Sequence, residues 1–156
     1  MNTFVKWFLV NAVVLTALFF AESKGALSTM IANDNSYICV VIMTLYVLVS
    51  AYIGRLSFLA DNTGEVDVKK EKERLLKQSE TGWFAAEHLF SLGLLGTVYG
   101  LSIATATHVN AEANVKDVVA ALKIGLSTAF YTTICGIIFS LPLQVQLMVL
   151  KFKLEK

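Results

Sequence analysis

Four long apolar stretches alternate with short polar ones along the chain. The apolar stretches run over Phe4–Ala21, Tyr37–Ile53, Trp83–Ala106 and Val118–Phe152. A helix of about 20 consecutive apolar residues crosses the hydrocarbon core of a bilayer. The pattern therefore predicts an all-α integral membrane protein with four transmembrane helices, the second of which could extend as far as Leu59.

The composition supports a membrane protein. The 156 residues are 56% hydrophobic and only 16% charged, whereas a quarter of the residues in a soluble domain are usually charged. A net charge of +1 gives no reason to expect a nucleic-acid partner. Cys39 and Cys135 both lie within apolar stretches and are interpreted as small buried hydrophobic residues, although a disulfide stays open.

The distribution of Lys and Arg predicts the orientation, because cytoplasmic segments are enriched in these residues. The segment Arg55–Gly82 and the two termini together hold ten of the 13 Lys and Arg residues. We therefore expect both termini and this segment to be cytoplasmic. The two loops Glu22–Ser36 and Thr107–Asp117 are then expected on the other side.

The fourth apolar stretch is longer than a bilayer is thick. It corresponds to about 50 Å of helix, so its lysine-bearing C-terminal end is expected to project into the cytoplasm. Pro142 lies inside it and predicts a kink or a local break, because proline lacks the backbone N–H and crowds the preceding turn.

The first apolar stretch has two interpretations. Lys6, the apolar core and Ala21 resemble a cleaved signal peptide. However, a cut after Ala21 would put the bulky Phe19 where a small residue is expected. We therefore expect retention as a helix, with cleavage as the alternative.

The chain divides into three parts by this pattern. Residues 1–61 form two peripheral N-terminal transmembrane helices, residues 62–82 a short charged cytoplasmic helix or linker, and residues 83–156 a helix pair with a cytoplasmic extension. The charged part is expected to be continuous with the third span, with acid–base pairs at helical spacing. A docking surface for a cytoplasmic partner is the alternative interpretation of it.

Small and hydroxyl-bearing residues are concentrated on the third and fourth spans. Such residues allow helix backbones to approach closely in lipid. The predicted helix-packing interface consists of Gly93, Gly96, Gly100, Gly125, Ala129 and Gly136. Two such helices in one short chain indicate an oligomeric membrane assembly with a polar path, not an enzyme, since no catalytic or metal-binding constellation is visible.

The hydroxyl groups on these spans have two interpretations. Each threonine could bond back to a carbonyl one turn earlier and serve packing alone. Alternatively, the threonines could line a wet passage for an ion. No Asp, Glu, His or Arg falls in the middle of a span, and proton movement normally requires an ionisable group at membrane depth. If an ion pathway exists, its titrating carboxylate must therefore belong to another subunit.

Two motifs resemble those of the MotA/TolQ/ExbB proton-channel family. Gly93-Leu-Leu-Gly-Thr-Val-Tyr-Gly is similar to its G-L-x-G-T-V-x-G helix, and the stretch from Ser127 to Pro142 is similar to its T-A-x-x-T-T-x-x-G run ending in proline. The resemblance covers about Trp83 to Pro142. Thr97 matches the threonine of the first motif. Thr133 matches that of the last helix when aligned on Gly136 and Pro142, whereas alignment on the Thr-Ala-Phe-Tyr run selects Thr128, with Thr132 as neighbour.

The resemblance implies a homopentamer in the bacterial inner membrane. The third and fourth helices would form its pore-side layer, around a dimer of single-span partners of the MotB, TolR or ExbD type whose Asp carries the ion. No cofactor is implied beyond the transported H⁺ or Na⁺, and the choice between these ions stays open. The expected pathway residues are Thr97, Thr128, Thr132 and Thr133.

One departure from the family changes the expected role. Flagellar MotA has a sizeable cytoplasmic domain between spans two and three, whereas here only a short charged segment connects them. We therefore expect a compact ion-driven motor or energising channel that serves another envelope, secretion or defence system. The alternative is an oligomeric membrane scaffold whose Gly, Ser and Thr faces serve packing alone.

Overall fold

Five helices make up the protein in a computed structural model, which describes residues 2–62, 68–106 and 115–155. They are α1 (Thr3–Ser23), α2 (Ala26–Asn33), α3 (Ile38–Asp61), α4 (Val68–Ala106) and α5 (Val115–Leu154). No strand occurs in these ranges. All helices except α2 are long and apolar enough to cross a membrane, which confirms the predicted all-helical chain with four spans.

The loop expected over Glu22–Ser36 differs from the expectation, because it contains α2, which begins after Gly25 in a left-handed conformation with a φ of 69°. The charged segment and the third span form one helix, α4, from Val68 onward, as expected. Most of the second expected loop, residues 107–114, lies outside the described residues, as do residues 63–67 of the charged segment.

α4 and α5 form an antiparallel pair with the most extensive contact in the molecule. Gly82 packs on Leu147 near one end, and Gly100 packs on Gly125 near the other. α3 runs parallel to α5, because Cys39 meets Cys135 at one end and Asp61 meets Lys153 at the opposite end. The resulting core contains the fully buried side chains of α3, α4 and α5, among them Ile42, Ile53, Leu89, Leu143 and Leu147.

α1 packs on the outside of this core, and Trp7 makes its closest approach to α3. The Trp7 ring lies against Gly54, where an added Cβ would come within 2.6 Å of the ring. Trp7 Nε1 donates a hydrogen bond to Ser50 O at 2.9 Å. Gly54 therefore provides the space that lets α1 approach α3. Retention of α1 in the mature protein stays a prediction.

A buried polar cluster also connects α1 to α3 and α5. Tyr46 OH donates to Asn11 Oδ1 at 3.2 Å. Ser50 Oγ lies 2.9 Å from Asn11 Oδ1 and 3.1 Å from Gln146 Oε1, so its single proton serves one of two acceptors. Such bonds are favourable in an apolar interior, because water cannot replace them. Asn11 therefore orients α1 on the core, a role that the sequence pattern does not indicate.

α5 continues through Pro142 as one helix. The local break that we gave as one possible outcome is therefore wrong, whereas a kink at Pro142 stays a prediction. Proline removes only one backbone hydrogen bond here. Residues on both sides of Pro142 are held by tertiary packing, Phe139 against Tyr46 and Leu143 in the core. This packing is sufficient to keep the helix continuous.

The start of α1 and the ends of α3 and α5 meet at one end of the molecule. Asp61 Oδ2 accepts a hydrogen bond from the backbone N–H of Phe4 at 2.8 Å, and Lys153 Nζ lies 4.0 Å from Asp61 Oδ1. Asp61, which lies on α3, thus caps the N-terminus of α1. Both described termini lie at this end, and its cytoplasmic placement remains a prediction from the Lys and Arg distribution.

We predict that Asp61→Ala lowers the free energy of unfolding by about 1 kcal/mol, the usual effect of losing a helix cap. The Lys153 contact would add little, because its side chain is half exposed. Thermal unfolding of the purified protein in detergent, followed by circular dichroism, measures the change. Glu73→Ala, at an exposed position of α4, is the matched control. Equal melting temperatures for the two variants would contradict the capping role.

Candidate ion pathway on the α4–α5 pair

Backbone atoms of α4 and α5 touch along a seam of small residues. An added Cβ at Gly93 would lie 2.9 Å from Thr132 O and 3.0 Å from Gly136 Cα. At Gly100 it would lie 2.5 Å from Gly125 O. No side chain larger than hydrogen fits at these levels. The structure thus brings together the six residues that the sequence predicts for helix packing: Gly93, Gly96, Gly100, Gly125, Ala129 and Gly136.

Two of the four expected pathway threonines meet across this seam. Thr97 Oγ1 and Thr133 Oγ1 are hydrogen-bonded to each other. Thr97 Oγ1 also lies 3.3 Å from the carbonyl oxygens of Gly93 and Ala129, and Thr133 Oγ1 lies 3.1 Å from Ala129 O. Both residues are only partly buried. The pair therefore presents two adjacent hydroxyls at the surface of the helix pair, where they can act as donor and acceptor.

The other two expected pathway threonines point into the protein. Thr128 is fully buried and donates to Asn33 O of α2 at 3.1 Å. Thr132 is also fully buried, packs on Gly96, and lies within hydrogen-bond distance of Thr128 O and Ala129 O. Their hydroxyls are used by internal bonds. Thr128 fixes α2 on α5, and Thr132 fills the space that Gly96 leaves.

Sequence reasoning missed a polar cavity beside the seam. It has a volume of about 390 Å³, and its mainly apolar lining includes the polar side chains of Glu87, Ser91, Ser140 and Gln144, of which Glu87 and Ser91 are exposed. Gln144 is a polar residue in the apolar stretch after Pro142, and Ser91 follows Glu87 by one turn. These spacings are the signal that could have revealed the cavity. The sequence does not give the antiparallel register of α4 and α5. That register brings Glu87 and Ser91 of α4 next to Ser140 and Gln144 of α5.

No group of His, Cys, Asp and Glu side chains suited to a metal ion occurs among residues 2–62, 68–106 and 115–155. The ring of His88 lies 3.8 Å from that of Phe84, and its Nδ1 is 2.7 Å from Phe84 O. His108 lies outside the described residues. Cys39 and Cys135 are buried and unbridged, in agreement with their interpretation as small buried residues.

Comparison with known proteins assigns the family. The model of the MotA/TolQ/ExbB proton channel family matches residues 42–156, which include α4, α5 and most of α3. The chain belongs to this family. No match was found among curated proteins or solved structures.

Membership in the MotA/TolQ/ExbB proton channel family confirms the resemblance noted from the two motifs. It indicates an ion-driven, membrane-energising function in complexes with partner proteins. The family is not a known class of enzymes. The four apolar helices agree with a membrane location. The matched region contains both the Thr97–Thr133 pair and the polar cavity.

We predict that Gly136→Val destabilises the protein by about 1–3 kcal/mol, because an added side chain must force two touching backbones apart. An added Cβ at Gly136 would lie only 2.9 Å from Gly93 Cα. Ala120→Val, at an exposed position of the same helix, is the control for valine as such. The measurement is thermal unfolding in detergent, and a Gly136→Val melting temperature equal to that of the control would exclude a close backbone contact.

Proposed function

We propose that this chain is the ring-forming subunit of an ion-driven motor or energising channel in the bacterial inner membrane. It would use the ion-motive force together with a single-span partner whose helix carries the ion-binding Asp. In this proposal five copies enclose a dimer of the partner, with α4 and α5 lining the interior. The observation that supports it most directly is the partly exposed hydroxyl pair of Thr97 and Thr133.

The chemistry of this pair fits a partner carboxylate. Hydroxyl groups can donate to a carboxylate or accept from a protonated carboxyl, so they serve both states of a titrating Asp. The chain has no Asp, Glu, His, Lys or Arg on α5 between Lys123 and Lys151. A carboxylate opposite Thr97 and Thr133 would therefore have to come from another chain. The meeting of Thr97 with Thr133 also supports the alignment on Gly136 and Pro142 over the one that selects Thr128.

The alternative is a membrane scaffold without ion flow. In its favour, the Thr97 and Thr133 hydroxyls already lie within reach of carbonyls of their own helix pair, as packing alone would require. The two proposals differ in what the hydroxyls do at the exposed surface. They can be separated by removing the hydroxyls without changing side-chain shape.

We predict that the double variant Thr97→Val, Thr133→Val assembles normally and loses ion flux. A hydrogen bond to a charged group contributes about 1.5–3 kcal/mol, so flux should fall about tenfold or more. Native mass spectrometry measures assembly, and ion uptake into vesicles that contain the native complex measures flux. Thr105→Val, an exposed threonine on α4 outside the pair, is the control. Normal flux in the double variant would favour the scaffold.

The partner can be sought directly. We predict that affinity purification of the tagged chain from its native membranes recovers a protein with one apolar helix that contains an Asp. In native mass spectra, five copies of this chain should occur with two of the partner. A fully functional assembly that consists of this chain alone would contradict the proposal.

A further inference from the structure

The polar cavity beside the seam lies between the threonine pair and the charged end of the molecule. Ten residues of α4 separate Glu87 from Thr97, which corresponds to about 15 Å of helix. Nine residues of α5 separate Gln144 from Lys153, about 14 Å. The cavity is therefore about midway between Thr97 and the layer that contains Asp61 and Lys153.

The lining of this cavity is unusual for a lipid-facing surface. Ser140 is 97% buried, with 3% of its surface exposed, and the hydroxyl of this residue has no hydrogen bond within the described part of the chain. It lines the cavity together with the exposed carboxylate of Glu87, the half-buried amide of Gln144 and the exposed hydroxyl of Ser91, which donates to Glu87 O at 3.2 Å. Polar groups on the surface of a membrane-spanning helix are costly unless they bind something. Four oxygen-bearing side chains around one cavity form a suitable environment for a small cation or a proton.

Among the described residues, Glu87 is the only ionisable side chain in the cavity lining. On α4 the nearest other ionisable groups are His88, whose ring lies on Phe84, and Glu80. On α5 the nearest charges are Lys123 and Lys151, and on α3 Tyr52 donates its hydroxyl to Gln78 O. No cation of the described residues forms an ion pair with Glu87. Its negative charge is therefore available to a mobile cation.

We propose that Glu87, with Ser91, Ser140 and Gln144, is a binding site for the transported cation between the threonine pair and the cytoplasm. The inference rests on the proposed function, since it extends the same pathway. For a proton, the carboxylate takes up one proton from the side of Thr97 and Thr133 and releases it to cytoplasmic water, so charge and atoms balance without another reactant. For Na⁺, the carboxylate and the hydroxyl oxygens act as ligands.

The first test is independent of transport. The probe is dicyclohexylcarbodiimide, an apolar reagent that reacts with protonated carboxyl groups, applied to the native complex in its membranes. We expect Glu87 to be labelled at least tenfold faster than Glu73, an equally exposed glutamate of α4 outside the cavity, with peptide mass spectrometry locating the label. If labelling slows at higher pH and Na⁺ does not protect Glu87, the site binds a proton. If Na⁺ protects Glu87 from labelling, the site binds Na⁺. Equal labelling of Glu87 and Glu73 would overturn the proposal.

The second test separates this site from the proposed function. We expect Glu87→Gln to lower ion flux about tenfold while assembly stays normal, and Glu73→Gln to leave flux unchanged. If the double threonine variant loses flux but Glu87→Gln does not, the channel proposal stands and the Glu87 site is wrong. If neither variant changes flux, the channel proposal fails, and labelling of Glu87 alone decides whether the cavity binds a cation.

Discussion

The backbone contact between α4 and α5 is the constraint on which the rest of the structure depends. Gly93 and Gly136 approach so closely that an added Cβ at Gly136 would lie 2.9 Å from Gly93 Cα. In lipid the hydrophobic effect does not drive helices together, because acyl chains are as apolar as the helix surfaces. Helices therefore associate through packing and hydrogen bonds. Close contact also puts side-chain hydroxyls on one helix within reach of carbonyls on the other, as Thr97 is of Ala129 O.

The same contact determines which polar groups remain available. With the helices pressed together at Gly96, the side chain of Thr132 fills the seam and its hydroxyl bonds internally. One residue further along α5, Thr133 lies at the edge of the seam and pairs with Thr97. A difference of one residue, about 100° around the helix, thus separates a packing threonine from one that can meet a ligand.

The sequence predicted the helices better than the contacts between them. Apolar length gave the four spans, and the spacing of Gly93, Gly96 and Gly100 gave the packing face, because both depend on local pattern. Spacing could not tell Thr132 from Thr133, since that requires the rotation of α5 against α4. Nor could it show that Asn11 meets Tyr46 and Ser50, or that Gln144 shares a cavity with Glu87. Those neighbours depend on the register of separate helices.

The separation between Glu87 and the threonine pair has a consequence for how ions could move. A carboxylate opposite Thr97 would bind a cation strongly and could retain it, because charge interactions strengthen in a dry interior. In the proposed arrangement that carboxylate belongs to a partner, which can move relative to α4 and α5. Glu87 is fixed on α4, about 15 Å away. The partner's carboxylate could then carry the ion, and Glu87 could receive it. Binding at the threonine pair could therefore be tight without blocking release.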